Sequence, residues 1–133
     1  MPINPDDFIR VADELHGGRV VSRGEPCDRS IIGRAYYASY LALRNAVRAQ
    51  YHRPDADIDH SPLRKGLAAA TDPEVAEVGE KLKTLWKFRR RADYEPTMSI
   101  NSVQAKLMLD MAKQVIKAAP KIIGRIPAGI PTA

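Results

Sequence analysis

The sequence predicts an all-α protein, an antiparallel helical bundle of four to five helices. Three observations predict it. Apolar residues recur at spacings of three and four in five separate stretches. No segment alternates apolar and polar residues with period two over a useful length, so no strand is expected. Pro, Gly, Asn, Asp and Ser fall between the periodic stretches, where helices start and stop. A chain of 133 residues fits one domain, and it can bury a core without disulfides or a structural metal.

Asn4-Pro5-Asp6-Asp7 reads as a helix start: a capping Asn, Pro at the first helical position, then acids facing the positive end of the dipole. Phe8, Ile9, Ala12 and Leu15 follow at helical spacing, and Gly17-Gly18 stops the helix. Arg19 to Pro26 reads as a connector. The second helix, about Asp28 to Tyr51, is the longest. Ile32, Tyr36, Tyr40, Leu43 and Val47 make one face. Ile31, Ala35, Ala38 and Ala42 make a strip of small residues where another helix can approach closely. Arg34, Tyr37, Arg44 and Arg48 make a third, basic strip.

His52 to Asp59 is a polar loop. Ser61 and Pro62 are expected to cap and open a short third helix carried by Leu63, Leu67 and Ala70. Thr71-Asp72-Pro73-Glu74 fits a capping box for a fourth. Val75, Val78, Leu82, Leu85 and Phe88 give its stripe, and it is expected to end near Ala92, before Pro96. Ser99 to Asn101 starts the fifth. Its expected buried stripe is Val103, Leu107, Met111, Val115 and Ala118, and Pro120 ends it. Residues 1–120 are thus the bundle. Residues 121–133, with Pro127, Pro131 and two Gly, read as an extended or mobile tail.

Composition narrows the function classes. No apolar run approaches the roughly 20 residues of a membrane span. Acid stands near the start, at Asp6-Asp7, where an export signal carries base. With one cysteine, Cys27, no internal disulfide forms and a reducing cytoplasm is expected. No Cys/His spacing fits zinc, so no metal is expected. Lys plus Arg is 21 against 16 Asp plus Glu, a net +5, and 13 of the cations are Arg. The planar guanidinium fork suits phosphate, and Arg89-Arg90-Arg91 concentrates it.

Three segments, in order, resemble one family. They are Arg29-Ser30-Ile31-Ile32-Gly33-Arg34-Ala35-Tyr36-Tyr37-Ala38-Ser39-Tyr40 on the long helix, Asp59-His60-Ser61 at the short one, and Phe88-Arg89-Arg90-Arg91-Ala92-Asp93-Tyr94 ending the fourth. Together they resemble the HEPN domain (higher eukaryotes and prokaryotes nucleotide-binding), in its small stand-alone prokaryotic branch, from about Asn4 to Pro120. The resemblance implies a bundle of four to five helices, usually dimeric. Many members are metal-independent ribonucleases, toxins or defence effectors; others partner a small nucleotidyltransferase or bind without catalysing. Catalytic members carry an Arg followed four to six residues later by His. Arg89 stands where that Arg is expected, but Asp93-Tyr94 follows and no His lies downstream. Arg10 with His16, and Arg53 with His60, match the bare pattern elsewhere.

The expectation is therefore an RNA- or nucleotide-directed protein of toxin–antitoxin or defence type, homodimeric, with no cofactor. The alternative is a non-catalytic module docking a nucleotidyltransferase, an antitoxin or another protein. His60, at a helix mouth, could as neutral imidazole accept a proton from a ribose 2′-hydroxyl, or simply bond a neighbouring backbone group. Asp57 and Asp59 beside it read as a solvated acidic loop. Arg89 could hold a phosphate, or be a cation favoured at a helix C-terminus. Arg90 and Arg91 add field. Arg34 is expected to pair with Asp93. Tyr37 and Tyr94 could meet a phosphate or a base, or be buried with a satisfied hydroxyl. Trp86, off its helix's stripe, could mark a dimer surface or be part of the core.

Overall fold

The computed structural model describes residues 4–16, 25–94 and 100–130. It contains five α-helices: α1 (Pro5–His16), α2 (Glu25–Gln50), α3 (His60–Ala68), α4 (Pro73–Tyr94) and α5 (Ser102–Ala118), with a 3₁₀ turn at Ala119–Ile122. Among the described residues there is no strand, so the protein is an all-α helical bundle. The expected stop at Gly17-Gly18, the connector up to Gly24, and the features at Pro96 and Ser99 lie outside the described residues. So do the side chains of His16 and Cys27. Glu25 and Pro26, expected to end the connector, instead begin α2.

Local hydrogen bonding explains where the helices begin. Asn4 Oδ1 accepts from Asp6 N at 2.9 Å, holding the first turn of α1. Asn101 and Gln104 exchange backbone and side-chain hydrogen bonds in a complete capping box on α5. The cap of α4 is Asp72 rather than the expected Thr71. Its Oδ1 accepts from Glu74 N at 3.0 Å and Val75 N at 3.3 Å, and Pro73 takes the first helical position, where a missing N–H costs nothing. The third helix starts two residues before the expected Pro62, at His60, and its N-cap Asp59 makes no side-chain cap bond.

Helix α2 is the centre of the bundle, with α1, α4 and α5 packed around it. Both of its apolar strips are consequently buried, from Ile31 and Ile32 through Ala38 and Leu43 to Val47. The small-residue strip, where another helix was expected to approach, is thus covered by helices of the same chain. Helices α3 and α4 pair closely. A Cβ on Gly79 would lie 2.3 Å from Ala68 N and 2.5 Å from the Leu67 carbonyl carbon, so the two backbones touch there. Farther along, the Arg64 guanidinium lies over the Trp86 ring. Residue numbers fall on α3 as they rise on α4, which makes the pair antiparallel.

Two expectations are corrected. The buried stripe of α5 is Ala105, Met108, Leu109, Ala112 and Val115, whereas Val103 and Leu107 are 70% and 57% exposed. Alanines face the neighbouring helices because a close helix–helix approach leaves no room for larger side chains. The tail also differs, because residues 122–130 strap the bundle. Ile122, Ile126 and Ile130 are buried. Gln50 fixes the strap by accepting from Gly124 N and Ile126 N, each at 2.9 Å, while its amide donates to Ile126 O at 2.8 Å. Arg125 adds ion pairs to Asp72 at 2.9 Å and Glu74 at 3.0 Å. Burying three isoleucines overrides the local Pro and Gly preference for open chain.

Gly79→Ala tests the α3–α4 contact. Alanine's better helix propensity is worth roughly 1 kcal/mol, but the added methyl must push two backbones apart. A net loss of about 1–3 kcal/mol is expected in denaturant unfolding, in the range of overpacked cores. Gly33→Ala, whose Cβ meets nothing within 4 Å, is the control and should be neutral or mildly stabilising.

Candidate functional site

Tyr36 sits on α2 with its side chain fully buried, and three other side chains converge on it. Its hydroxyl lies 2.6 Å from His60 Nδ1 at the start of α3. Arg64, one turn further along α3, brings its positive charge to the same hydroxyl and works to lower its pKa. Arg89 of α4 places its guanidinium 5.0 Å from the centre of the ring. The sequence-expected pair His60 and Arg89 is therefore brought together, around a tyrosine the sequence had assigned only to the core.

His60 is held on two sides. Its imidazole stacks on the Tyr40 ring with centroids 3.7 Å apart and planes 11° apart, and it lies 5.7 Å from the Tyr36 centroid. Tyr40 in turn donates to Ile58 O at 2.5 Å, and Arg48 Nε donates to Ala56 O at 2.7 Å. These two bonds and the buried Ala56 and Ile58 tie the loop before α3 to α2, and so fix where His60 emerges.

Burial and the two cations set the proton positions. Burial, opposed by Arg89 and Arg64, raises the Tyr36 pKa above its ordinary value, so the hydroxyl keeps its proton. The Arg89 and Arg64 charges favour the hydroxyl oxygen turned towards them, so its proton goes to His60 Nδ1. Burial, then Arg89 and Arg64, hold the His60 pKa below its ordinary value, against Asp59. The imidazole is neutral at neutral pH, with Nδ1 accepting and Nε2 carrying hydrogen. In this tautomer His60 presents a donor at Nε2.

The other expected residues divide between two places. Arg34, Tyr37 and Asp93 line a cavity of about 430 Å³ with Phe8, Arg29, Ser30 and Gly33. Arg34 and Asp93 are not paired as expected. Asp93 accepts from Arg89 Nε at 3.2 Å, four residues back on its own helix, and Arg34 Nε reaches Ser30 Oγ at 3.4 Å. Spacing on one helix wins because the two side chains are already aligned on one face. Arg29 instead closes α4, donating to Arg91 O at 2.9 Å and Ala92 O at 2.8 Å. Tyr37 packs edge-on against Phe8. Arg90 and Arg91 line a smaller cavity with Trp86 and Lys87. Tyr94, read as buried or ligand-bound, is 70% exposed and lines neither. Arg44 and Arg48 stand further along α2, so the basic strip does not gather into one surface.

Arg64 is the residue the sequence reading missed. It is 7% exposed, and the available signal was its i, i+4 spacing from His60 on one helix face. No group of three or more potential metal ligands occurs among the described residues, and no helix there is long and apolar enough to cross a membrane.

No family model matches the chain, and no solved structure does. The chain is 30% identical over 121 residues to the uncharacterized protein MJ0628 of Methanocaldococcus jannaschii, covering 80% of this chain and 72% of that protein. This chain belongs to the same family as that archaeal protein. The family relation carries no activity with it.

The lowered His60 pKa has a consequence for stability. As pH falls, the unfolded chain takes up the proton before the folded one does. The stability contributed by the neutral imidazole is complete above about pH 6.5, the ordinary histidine value, and is lost as pH falls through the lower folded value. His60→Phe keeps a ring against Tyr40 but cannot titrate. Denaturant unfolding between about pH 7.5 and about pH 5 should therefore show a shallower pH slope in the variant than in wild type.

Proposed function

We propose that the protein binds RNA or nucleotides through the phosphate and acts as an HEPN-like effector of toxin–antitoxin or defence type in the cytoplasm. One observation carries this reading: the Arg64 and Arg89 guanidinium groups and the neutral His60 imidazole converge on one buried tyrosine, and the carboxylate bonded to Arg89 occupies only its Nε. The order of the three HEPN-like segments supports it, because they supply Tyr36, His60 and Arg89.

Metal-independent cleavage is the reaction this set of groups suits. The ribose 2′-oxygen attacks phosphorus, the bond from phosphorus to the 5′-oxygen breaks, and solvent takes the 2′ proton and returns one to the leaving oxygen. Arg89 and His60 Nε2–H hold the charge that builds on the phosphoryl oxygens. Loss of a transition-state donor costs roughly 10²–10³-fold. His60→Ala and Arg89→Ala should each lower chelator-resistant cleavage by about that factor with the helical fold intact, while His52→Ala changes little. Full activity in both site variants would discard the assignment.

A second reading is favoured by a different observation. Val103 and Leu107 leave an apolar stripe exposed on α5. Such a face suits a helical partner, whether a nucleotidyltransferase, an antitoxin or a second copy of the chain in a homodimer. Wild-type protein that neither binds nor cleaves RNA at low ionic strength would leave this docking role in its place.

A further inference from the structure

Trp86 is the common wall of two cavities on the outer side of α3 and α4. The larger, about 460 Å³, is lined by Arg64, Lys65, Ala68, Ala69, Lys83 and Trp86. The smaller, about 170 Å³, is lined by Trp86, Lys87, Arg90 and Arg91. Six of the lining side chains are cationic and none is acidic. The Arg64 guanidinium lies 3.8 Å from the indole centre and that of Arg90 lies 5.1 Å from it.

Neither packing nor solubility accounts for this arrangement. Arg64 is buried against the indole face and makes no ion pair with a carboxylate among the described residues. Like charges gathered around one ring repel, and a polyanion relieves that repulsion. The larger cavity falls within the roughly 300–1,000 Å³ of small-ligand sites. It offers the indole and a guanidinium plane, both surfaces on which bases stack. The smaller cavity offers Lys87, Arg90 and Arg91, which suit a phosphate.

We propose that this double cavity is a nucleotide subsite for single-stranded RNA, with the base and ribose beside Trp86 and Arg64 and the adjoining phosphate at Arg90 and Arg91. Arg64 links it to the cleavage site, because the charge of the same guanidinium acts on Tyr36 and His60. The inference rests on the RNA-directed reading above and names where the strand runs next to the scissile phosphate. Base stacking distinguishes RNA from a mere polyanion, which would use only the charges.

Trp86 is the sole tryptophan, so its emission reports on this place alone. Titration with oligouridylate should quench and shift that emission, and inorganic polyphosphate of matched charge should not. Lys65→Ala/Lys83→Ala, two exposed positions that leave packing alone, should weaken oligouridylate binding several-fold and flatten its salt dependence. Trp86→Ala should weaken it roughly 5- to 150-fold, the range of one stacked base, and Trp86→Phe should recover part of the loss. RNA binding with unchanged Trp86 emission and unchanged affinity in the lysine variant would overturn the subsite while leaving the cleavage site standing. Equal quenching by polyphosphate would overturn base recognition. Quenching and stacking without any cleavage would support the subsite and remove the enzymatic reading instead.

Discussion

A buried hydroxyl must find partners or cost the fold a few kcal/mol, and Tyr36 is the place where this requirement organises the molecule. Its ring is sealed between α2 and its neighbours, so the hydroxyl cannot turn to water. The group that satisfies it, His60 Nδ1, stands at the first residue of α3, and its ring is stacked on Tyr40 of α2. That fixes the rotation and the height of α3 on α2. The close contact at Gly79 then fixes α4 on α3, and Arg89 arrives over the same ring as a result. Three helices are aligned by one polar atom, and the same alignment assembles the candidate site.

The arrangement is costly by itself. Arg64 leaves water for an indole face, which repays only part of its hydration. Arg90 adds a second cation at the same ring. These terms oppose folding and favour an anionic ligand, and both effects shrink as salt rises. The strap made by residues 122–130 works in the other direction. It seals the far ends of α2, α3 and α4 with three isoleucines and the Gln50 bonds, so the basic region sits on a bundle closed elsewhere by ordinary apolar burial.

What could be read from the sequence was what depends on neighbours in the chain. Asn4-Pro5 and Asn101 start helices through bonds made within three residues, and both were legible. The stripes of α2, α3 and α4 were legible because their large apolar residues are the buried ones. On α5 the rule failed, since the close-packed face took Ala105 and Ala112 and left Val103 and Leu107 outside. The strap failed for a related reason: local Pro and Gly announce a turn, not what the isoleucines between them will cover. His60 and Arg89 were legible through the HEPN-like segments. Their meeting point was not, because Tyr36 reads as core and Arg64 as a solvated cation until three-dimensional contacts join them. The Arg34–Asp93 pair was expected from position between helices, and the pairing within α4 displaced it.

The central claim is that Tyr36 gives its proton to His60, leaving a neutral imidazole with hydrogen on Nε2. Imidazole nitrogen shifts of His60, followed by NMR through a pH titration, test this directly. The account requires the Nε2–H tautomer at neutral pH, with protonation setting in below the ordinary histidine value, and loss of that tautomer preference in Tyr36→Phe. Hydrogen on Nδ1, or a titration at or above the ordinary value, would contradict it.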